Sequence, residues 1–184
     1  PSPMKPAPFP RTAAPSLPLA LTCAATALPA AAKTVAEWQT ITSQAKIPLE
    51  QAITRATQAV PGKAIEAQLD DGDGMGPRYE IEVITPAGDS VEVWVNAITG
   101  QAAQHKNDGA AKRKDRQRLE KAKSTIEQAI QAATRHTPGT PVSAELDSHW
   151  GQTSYQVEVL QANGTLMEVK IDAVGGEVIR AKKD

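Results

Sequence analysis

Three histidines are the side chains in this sequence that most readily offer acid–base chemistry. His105, His136 and His149 do not stand at a spacing that pairs any of them with a nucleophile or a second carboxylate. His149 stands next to Trp150, and His136 ends an apolar-periodic segment, where a cation is favoured. The pattern favours surface histidines and predicts that the protein is not an enzyme and has no catalytic residue.

The run from Asp70 to Gly74 is the one candidate for a metal-binding loop. Numbering a calcium loop from Asp71 places Asp73 at the third position and Glu82 at the twelfth. The fifth position would be Met75, whose thioether is not a calcium ligand. We therefore expect a hairpin loop and no cofactor, with Asp71 and Asp73 as the metal candidates of the alternative interpretation.

A duplicated segment must position these residues. Glu50 to Ile53 returns as Glu127 to Ile130 after 77 positions, and Tyr79 returns as Tyr155 after 76 positions. Such self-similarity at a fixed spacing indicates one small unit used in tandem. Because each unit is small and only marginally able to bury a core alone, we expect the two units to pack on one another.

Each unit begins with a predicted helix and continues with predicted strands. The helices are marked by apolar residues at helical spacing, namely Leu49, Ala52, Ile53, Ala56 and Val60, and then Ile126, Ala129, Ile130 and Ala133. Alternating apolar residues predict strands near 65–69, 79–83 and 91–95, and near 142–146, 155–159 and 167–171. A last short strand is expected at 178–181, with 101–103 as its weaker counterpart. Ser124 and Glu127 have capping-box spacing and predict the start of the second helix.

The first 32 residues differ in composition from the rest. They contain Lys5 and Arg11, no acidic residue, an apolar run and an Ala-rich end at Ala32. This pattern is typical of a secretory signal peptide, whose removal would also remove Cys23, the single cysteine. The formal charge of −1 gives no basic footprint for nucleic acid. We therefore expect a periplasmic or secreted protein that is not stably inserted in a membrane.

The predicted alternation of the strands leaves one face of the sheet exposed to solvent. Glu80, Glu82, Glu92 and Trp94 are expected to point outward in the first unit, with Gln156, Glu158, Glu168 and Lys170 at the same places in the second. An outward Trp among carboxylates tends to mark a contact. Trp94 either buries against the other unit or binds a partner, and Trp150 in its loop is open to the same two interpretations.

The order of these motifs resembles the PepSY family. Glu-Gln-Ala-Ile on a helix, Pro-Gly, a Tyr79–Val83 type strand and a close such as Asn96–Gly100 occur in both copies, over 47–103 and 124–181. The resemblance implies an α+β fold with cystatin-like repeats, each a helix packed on a three- to four-stranded antiparallel sheet. It also implies an extracytoplasmic setting and a role in restraining or inhibiting peptidases.

The predicted organisation is a signal peptide (1–32), an N-terminal helix (33–46), a first repeat (47–103), a charged linker or helix (104–123) and a second repeat (124–184). We expect an exported, non-enzymatic module that binds a protein partner and restrains or modulates a peptidase or another extracytoplasmic protein. The expected contact residues are Trp94, Glu80, Glu82, Glu92 and Trp150, or an edge strand of the sheet. The alternative is a periplasmic sensor of a small ligand or a divalent metal.

Overall fold

The computed structural model describes residues 33–184, so the predicted signal peptide at 1–32 lies outside the described residues. Within that part of the chain there are four helices: α1 (Val35–Gln44), α2 (Leu49–Ala59), α3 (Arg113–Lys121) and α4 (Ile126–His136). The strands there are β1 (Lys63–Asp70), β2 (Arg78–Ile84), β3 (Asp89–Asn96), β4 (Ala102–Ala110), β5 (Thr140–His149), β6 (Gln152–Leu160), β7 (Leu166–Asp172) and β8 (Val178–Lys183). Two helices followed by four strands therefore occur twice, which confirms the predicted α+β class with tandem repeats.

The apolar stripes of α2 and α4 are buried against the sheet, as their spacing predicts. The buried helix residues are Leu49, Ala52, Ile53 and Ala56 in α2 and Ile126, Ala129, Ile130 and Ala133 in α4. Half of these are alanines, so the helix backbones lie close to the strands. Valine and isoleucine side chains of the strands complete one continuous core beneath both helices.

The start of α4 lies one residue later than the predicted capping box. Thr125 is the N-cap: its Oγ1 accepts the N–H of Gln128, and the Gln128 side chain accepts the N–H of Thr125. Ser124 Oγ instead donates to the carbonyl of Ala173, which ties the loop to the sheet. The predicted Ser124–Glu127 pair is therefore wrong. Two overlapping pairs fit the spacing, and only the tertiary contact of Ser124 decides between them.

Strand β4 occupies sequence that we predicted to be linker. It continues to Ala110, where Ala111 N–H donates to the carbonyl of Gly88, and α3 follows directly. The strand is polar and exposed because it is an edge, so it lacks the apolar alternation by which the inner strands were recognised. The linker prediction for 104–110 is therefore wrong, whereas a helix in the second half of that segment is present.

The two repeats share one antiparallel sheet with the strand order β4-β3-β2-β1-β5-β6-β7-β8. The join between them is the pairing of β1 with β5, through Glu66 with Glu145, Ala67 with Ala144 and Gln68 with Ser143. Ala67 and Ala144 are buried at this join. We call this three-pair contact the seam.

The first helix of each repeat packs near a turn of the other repeat. Val35 and Gln39 of α1 lie against Gly164 in the β6–β7 turn of the second repeat. Lys33, just before α1, forms an ion pair of 3.3 Å with Asp70 at the end of β1 in its own repeat. At the other end of the seam, Leu119 of α3 shares a cavity with the β2–β3 turn. The repeats therefore contact one another through helices as well as through the seam.

Candidate binding surface on the open face of the sheet

Alternate side chains of the strands form the face of the sheet that lies away from α2 and α4. The pairing registers place one residue from every strand in a single row, which reads Lys106, Glu92, Glu82, Glu66, Glu145, Gln156, Lys170 and Arg180 from edge to edge. A neighbouring row reads Ala103, Trp94, Glu80, Gln68, Ser143, Glu158, Glu168 and Lys182. We call the surface made by these two rows the open face.

Four consecutive positions of the first row are glutamates, and the seam lies between the last two. We call Glu92, Glu82, Glu66 and Glu145 the glutamate row. Side chains directly opposite on neighbouring strands lie close together, and like charges in such pairs are destabilising. The charge arrangement of the open face is therefore not one that folding stability alone would favour.

Burial and crowding shift the proton affinity of the two glutamates at the seam. Partial burial, followed by the neighbouring carboxylates of Glu145 and Glu82, raises the pKa of Glu66 above its usual value. The pKa of Glu145 is raised first by partial burial and then by Asp147, against an opposing effect of Arg118. At both glutamates, burial and neighbouring carboxylates outweigh the effect of the nearby cations.

The glutamate row borders two adjoining grooves. The larger has a volume of about 630 Å³ and is lined by glutamates of β1, β2 and β3 together with Lys106, Asp108 and Lys112. The smaller, of about 170 Å³, lies over the seam between Glu66, Glu145 and Glu158. Glu66 and Gln68 line both grooves, so the two form one acidic depression across the repeat boundary.

Trp94 lies within its own repeat and is held between two side chains. The Arg78 guanidinium lies 3.9 Å from the centre of the Trp94 ring, and His105 is stacked on the ring at 3.5 Å. Two groups so close to one ring centre must occupy opposite faces of it. The indole N–H donates to Glu92 at 2.6 Å. The predicted burial of Trp94 against the other repeat is therefore wrong, because Arg78 and His105 already cover both faces of its ring.

Arg78 gathers carboxylates at the same end of the open face. Its guanidinium pairs with Glu80 at 2.7 Å, Asp73 at 3.3 Å and Asp70 at 3.6 Å. Its Nη1 is buried without a hydrogen-bond partner among the described residues. The sequence analysis did not single out Arg78. Its position directly before the predicted Tyr79 strand was the signal that could have identified it.

The Asp-rich loop is held by its own backbone and by Arg78. Asp70 accepts the N–H of Gly72, and Asp71 accepts the N–H of Asp73. Glu82, which a calcium loop would need as a ligand, accepts the hydroxyl of Ser90 on β3 instead. Among residues 33–184 no group of three or more His, Cys, Asp or Glu side chains is arranged to hold a metal ion.

Neither Trp150 nor any of the three histidines lines the two grooves over the glutamate row. Trp150 is 93% exposed at the tip of the β5–β6 hairpin, in contact edge-on with His149. His136 contacts Thr137 at the end of α4, and His105 stacks on Trp94. The structure therefore brings Trp94, Glu80, Glu82 and Glu92 together on one surface and leaves Trp150 apart from them.

Sequence reasoning missed Glu66 and Glu145 as members of the open face. Each alternates with buried residues of a strand that was recognised, so the pattern marks both as outward. Their proximity follows from the pairing of β1 with β5, which no local sequence pattern indicates.

No helix within residues 33–184 has the length and apolar character needed to cross a membrane.

Comparison with known proteins identifies the family of both repeats. The PepSY family model, described as the peptidase propeptide and YPEB domain, matches residues 46–102 and 123–182. The uncharacterized protein YkoJ of Bacillus subtilis (strain 168) is 31% identical over 106 residues, which are 58% of this chain and 57% of that protein. The chain therefore spans little more than half the length of this relative.

Three solved structures show looser similarity. A candidate lipoprotein from Clostridium difficile 630 matches with 18% identity and a TM-score of 0.45, over 76% of this chain and 95% of that one. YpmB of Bacillus subtilis matches with 13% identity and a TM-score of 0.34, over 73% and 96%. The C-terminal domain of Bacillus megaterium YpeB matches with 17% identity and a TM-score of 0.29, over 76% and 66%.

Proposed function

The chain belongs to the PepSY family, and from that premise we propose that it is an exported, non-enzymatic module that binds a protein partner on the open face of its sheet. The family's description refers to peptidase propeptides, so an extracytoplasmic peptidase is the partner class that we favour. Binding there would restrain or modulate the partner. The proposal includes removal of residues 1–32 as a signal peptide, and Glu80, Glu82, Glu92 and Trp94 are its contact residues.

The observation that carries this proposal is the continuity of the open face across both repeats. Eight strands present side chains on a single surface, and the depression over the seam belongs to neither repeat alone. The opposite face is already covered by α2 and α4, whose stripes are buried. A partner therefore finds its largest continuous contact on the open face.

Two further features support a protein rather than a small molecule as the partner. The grooves are open and polar and have the extent of a surface rather than of an enclosed apolar pocket, which is the usual site for a small ligand. Trp94 lies at one end of this surface with its ring between Arg78 and His105, and Trp and Arg are both enriched among the residues that contribute most to binding at interfaces. Trp150, on its exposed hairpin, is proposed as a secondary contact at the border.

Position-specific photo-crosslinking in the producing cells tests the proposal. A photo-reactive amino acid placed at Gln156 or Lys106 lies on the open face, whereas the same group at Gln51 or Gln131 lies on exposed positions of α2 or α4. We expect a discrete protein adduct from the open-face positions and none from the helix positions. Adducts from the helix positions alone, or from no position, would contradict the proposal.

A further inference from the structure

We infer that the partner presents a lysine- or arginine-rich segment, which lies across the strands on the glutamate row. This inference rests on the proposed function, because it specifies the chemistry of the partner that the open face binds. The four glutamates belong to adjacent strands, about 4.8 Å apart, so the row is about 15 Å long. It therefore offers a line of negative charge rather than a single point.

Lys106 stands opposite Glu92 and Lys112 lines the larger groove, but the ion pairs formed by the cations of this surface go to other carboxylates. Arg78 pairs with Asp70, Asp73 and Glu80, whereas Lys106 pairs with Asp108. At the other end Arg180 and Lys182 both pair with Glu168, and Arg118 pairs with Asp115 and Asp147. Within residues 33–184 no Lys, Arg or His lies in ion-pair contact with Glu92, Glu82, Glu66 or Glu145.

The depression over the row has room for the side chains of such a segment. Its two grooves have volumes of about 630 and 170 Å³ and meet at Glu66. Burial and neighbouring carboxylates raise the pKa of Glu66 and of Glu145, although Lys112 acts against the shift at Glu66 and Arg118 and Lys114 act against it at Glu145. A bound cation would lower both pKa values and remove the cross-strand repulsion, so part of the binding free energy comes from strain already present in the free protein.

The geometry favours a chain of cations over one divalent ion. Calcium needs six to eight oxygen ligands that converge at about 2.3–2.6 Å. The glutamates instead extend along a line, and in the described part of the chain no three acidic or histidine side chains converge on one point. Successive Lys or Arg side chains match a line of carboxylates, and arginine adds bidentate contacts.

Binding of a short oligolysine peptide to the purified chain tests the inference. An acetylated peptide of about six lysines is long enough to span the row in extended form. We expect saturable binding that weakens as ionic strength rises. In ¹H–¹⁵N spectra the indole resonance of Trp94 should shift, because its N–H donates to Glu92, while that of Trp150 stays in place.

A matched pair of double variants separates the row from overall charge. Glu66→Gln/Glu82→Gln removes two charges from the row, whereas Glu120→Gln/Glu177→Gln removes two exposed charges that border neither groove. We expect binding about tenfold weaker for the first pair and nearly unchanged for the second. Equal weakening by both pairs would overturn the inference, as would calcium binding that the row variants abolish.

The outcomes of the two experiments remain distinguishable. Open-face crosslinks without oligolysine binding would leave the proposed function standing and overturn the inference about a basic partner. Oligolysine binding without any open-face crosslink would overturn the proposed function, and with it the inference, because the row would then bind a basic peptide in solution but no protein in the cell. Both double variants should stay folded, because glutamine keeps the shape of glutamate; circular dichroism checks this.

Discussion

At the scale of single residues, Tyr79 and Tyr155 show how closely the two copies agree. Tyr79 donates its hydroxyl to the carbonyl of Ile47 at 2.6 Å, and Tyr155 donates to the carbonyl of Ser124 at 2.8 Å. Each bond ties a central strand to the segment that leads into the main helix of its repeat. Burial of the rings raises the pKa of both hydroxyls to about 12.

These raised pKa values predict alkaline destabilisation. Above pH 10 the unfolded tyrosines lose protons while the folded ones keep theirs, so the free energy of unfolding falls as pH rises from 10 toward 12. The slope should reach about 1.4 kcal/mol per pH unit for each tyrosine. Urea unfolding at a series of pH values measures it.

A double Tyr79→Phe/Tyr155→Phe variant serves as the control. It should be less stable at neutral pH by about 1 kcal/mol per lost hydrogen bond. Over the same alkaline range it should lose the tyrosine contribution to the slope, while titration of lysines continues. An unchanged slope in this variant would show that the hydroxyls are not the groups responsible.

At the scale of residues, the sequence predicts which way a strand side chain points, but it does not predict which other side chains it contacts. Alternation alone places Trp94, Glu80, Glu82 and Glu92 on one face, because strand geometry fixes which way each side chain points. It does not reveal His105 on the Trp94 ring, because His105 belongs to an edge strand without an apolar pattern. It also leaves their function open, since the same face would be wet in a protein that bound nothing.

At the scale of elements, the N-terminus of α4 makes a testable distinction between neighbouring residues. We expect Thr125→Ala to destabilise the protein by about 1 kcal/mol, because its Oγ1 is the acceptor for the Gln128 N–H. Ser124→Ala should cost less, because the Ala173 carbonyl keeps the backbone donors of Lys123 and Ser124. Chemical denaturation of the two single variants gives the comparison.

The same comparison decides between two descriptions of this helix start. If Ser124→Ala were the more costly change, the capping box of the sequence prediction would be the real one. The main helices and inner strands were recognisable because their apolar periods differ. The N-cap residue of α4 could not be predicted in this way, since Ser124 and Thr125 are both good N-cap residues. Only the contact of Ser124 with Ala173 distinguishes their roles.

At the scale of the whole molecule, the seam and the two leading helices make the repeats interdependent. The repeat in the sequence predicts two similar units, and it also predicts that small units pack together. It does not predict that β1 pairs with β5, because both strands carry the same alternation as every other inner strand. The acidic depression over the seam is formed by that pairing, so it could not be predicted from the sequence.

Interdependence predicts that damage to one repeat lowers the stability of both. A Cβ at Gly62 would press on the carbonyl of Ile84, and one at Gly139 would press in the same way on that of Leu160. Gly62→Ala and Gly139→Ala are therefore matched destabilising substitutions, one in each repeat. We expect each to lower hydrogen-exchange protection in β2 and β6 by similar amounts, because the core strands open together when unfolding is cooperative.

Hydrogen exchange followed by mass spectrometry resolves the two strands in one experiment. If Gly62→Ala affected β2 alone and Gly139→Ala affected β6 alone, the repeats would be separate folding units. The seam would then be a weak contact, as its three residue pairs considered alone would indicate. We expect coupling instead, because α1 lies against the β6–β7 turn and α3 lies beside the β2–β3 turn. Opening either repeat therefore removes a packing surface from the other, and the continuous open face exists only while both are folded.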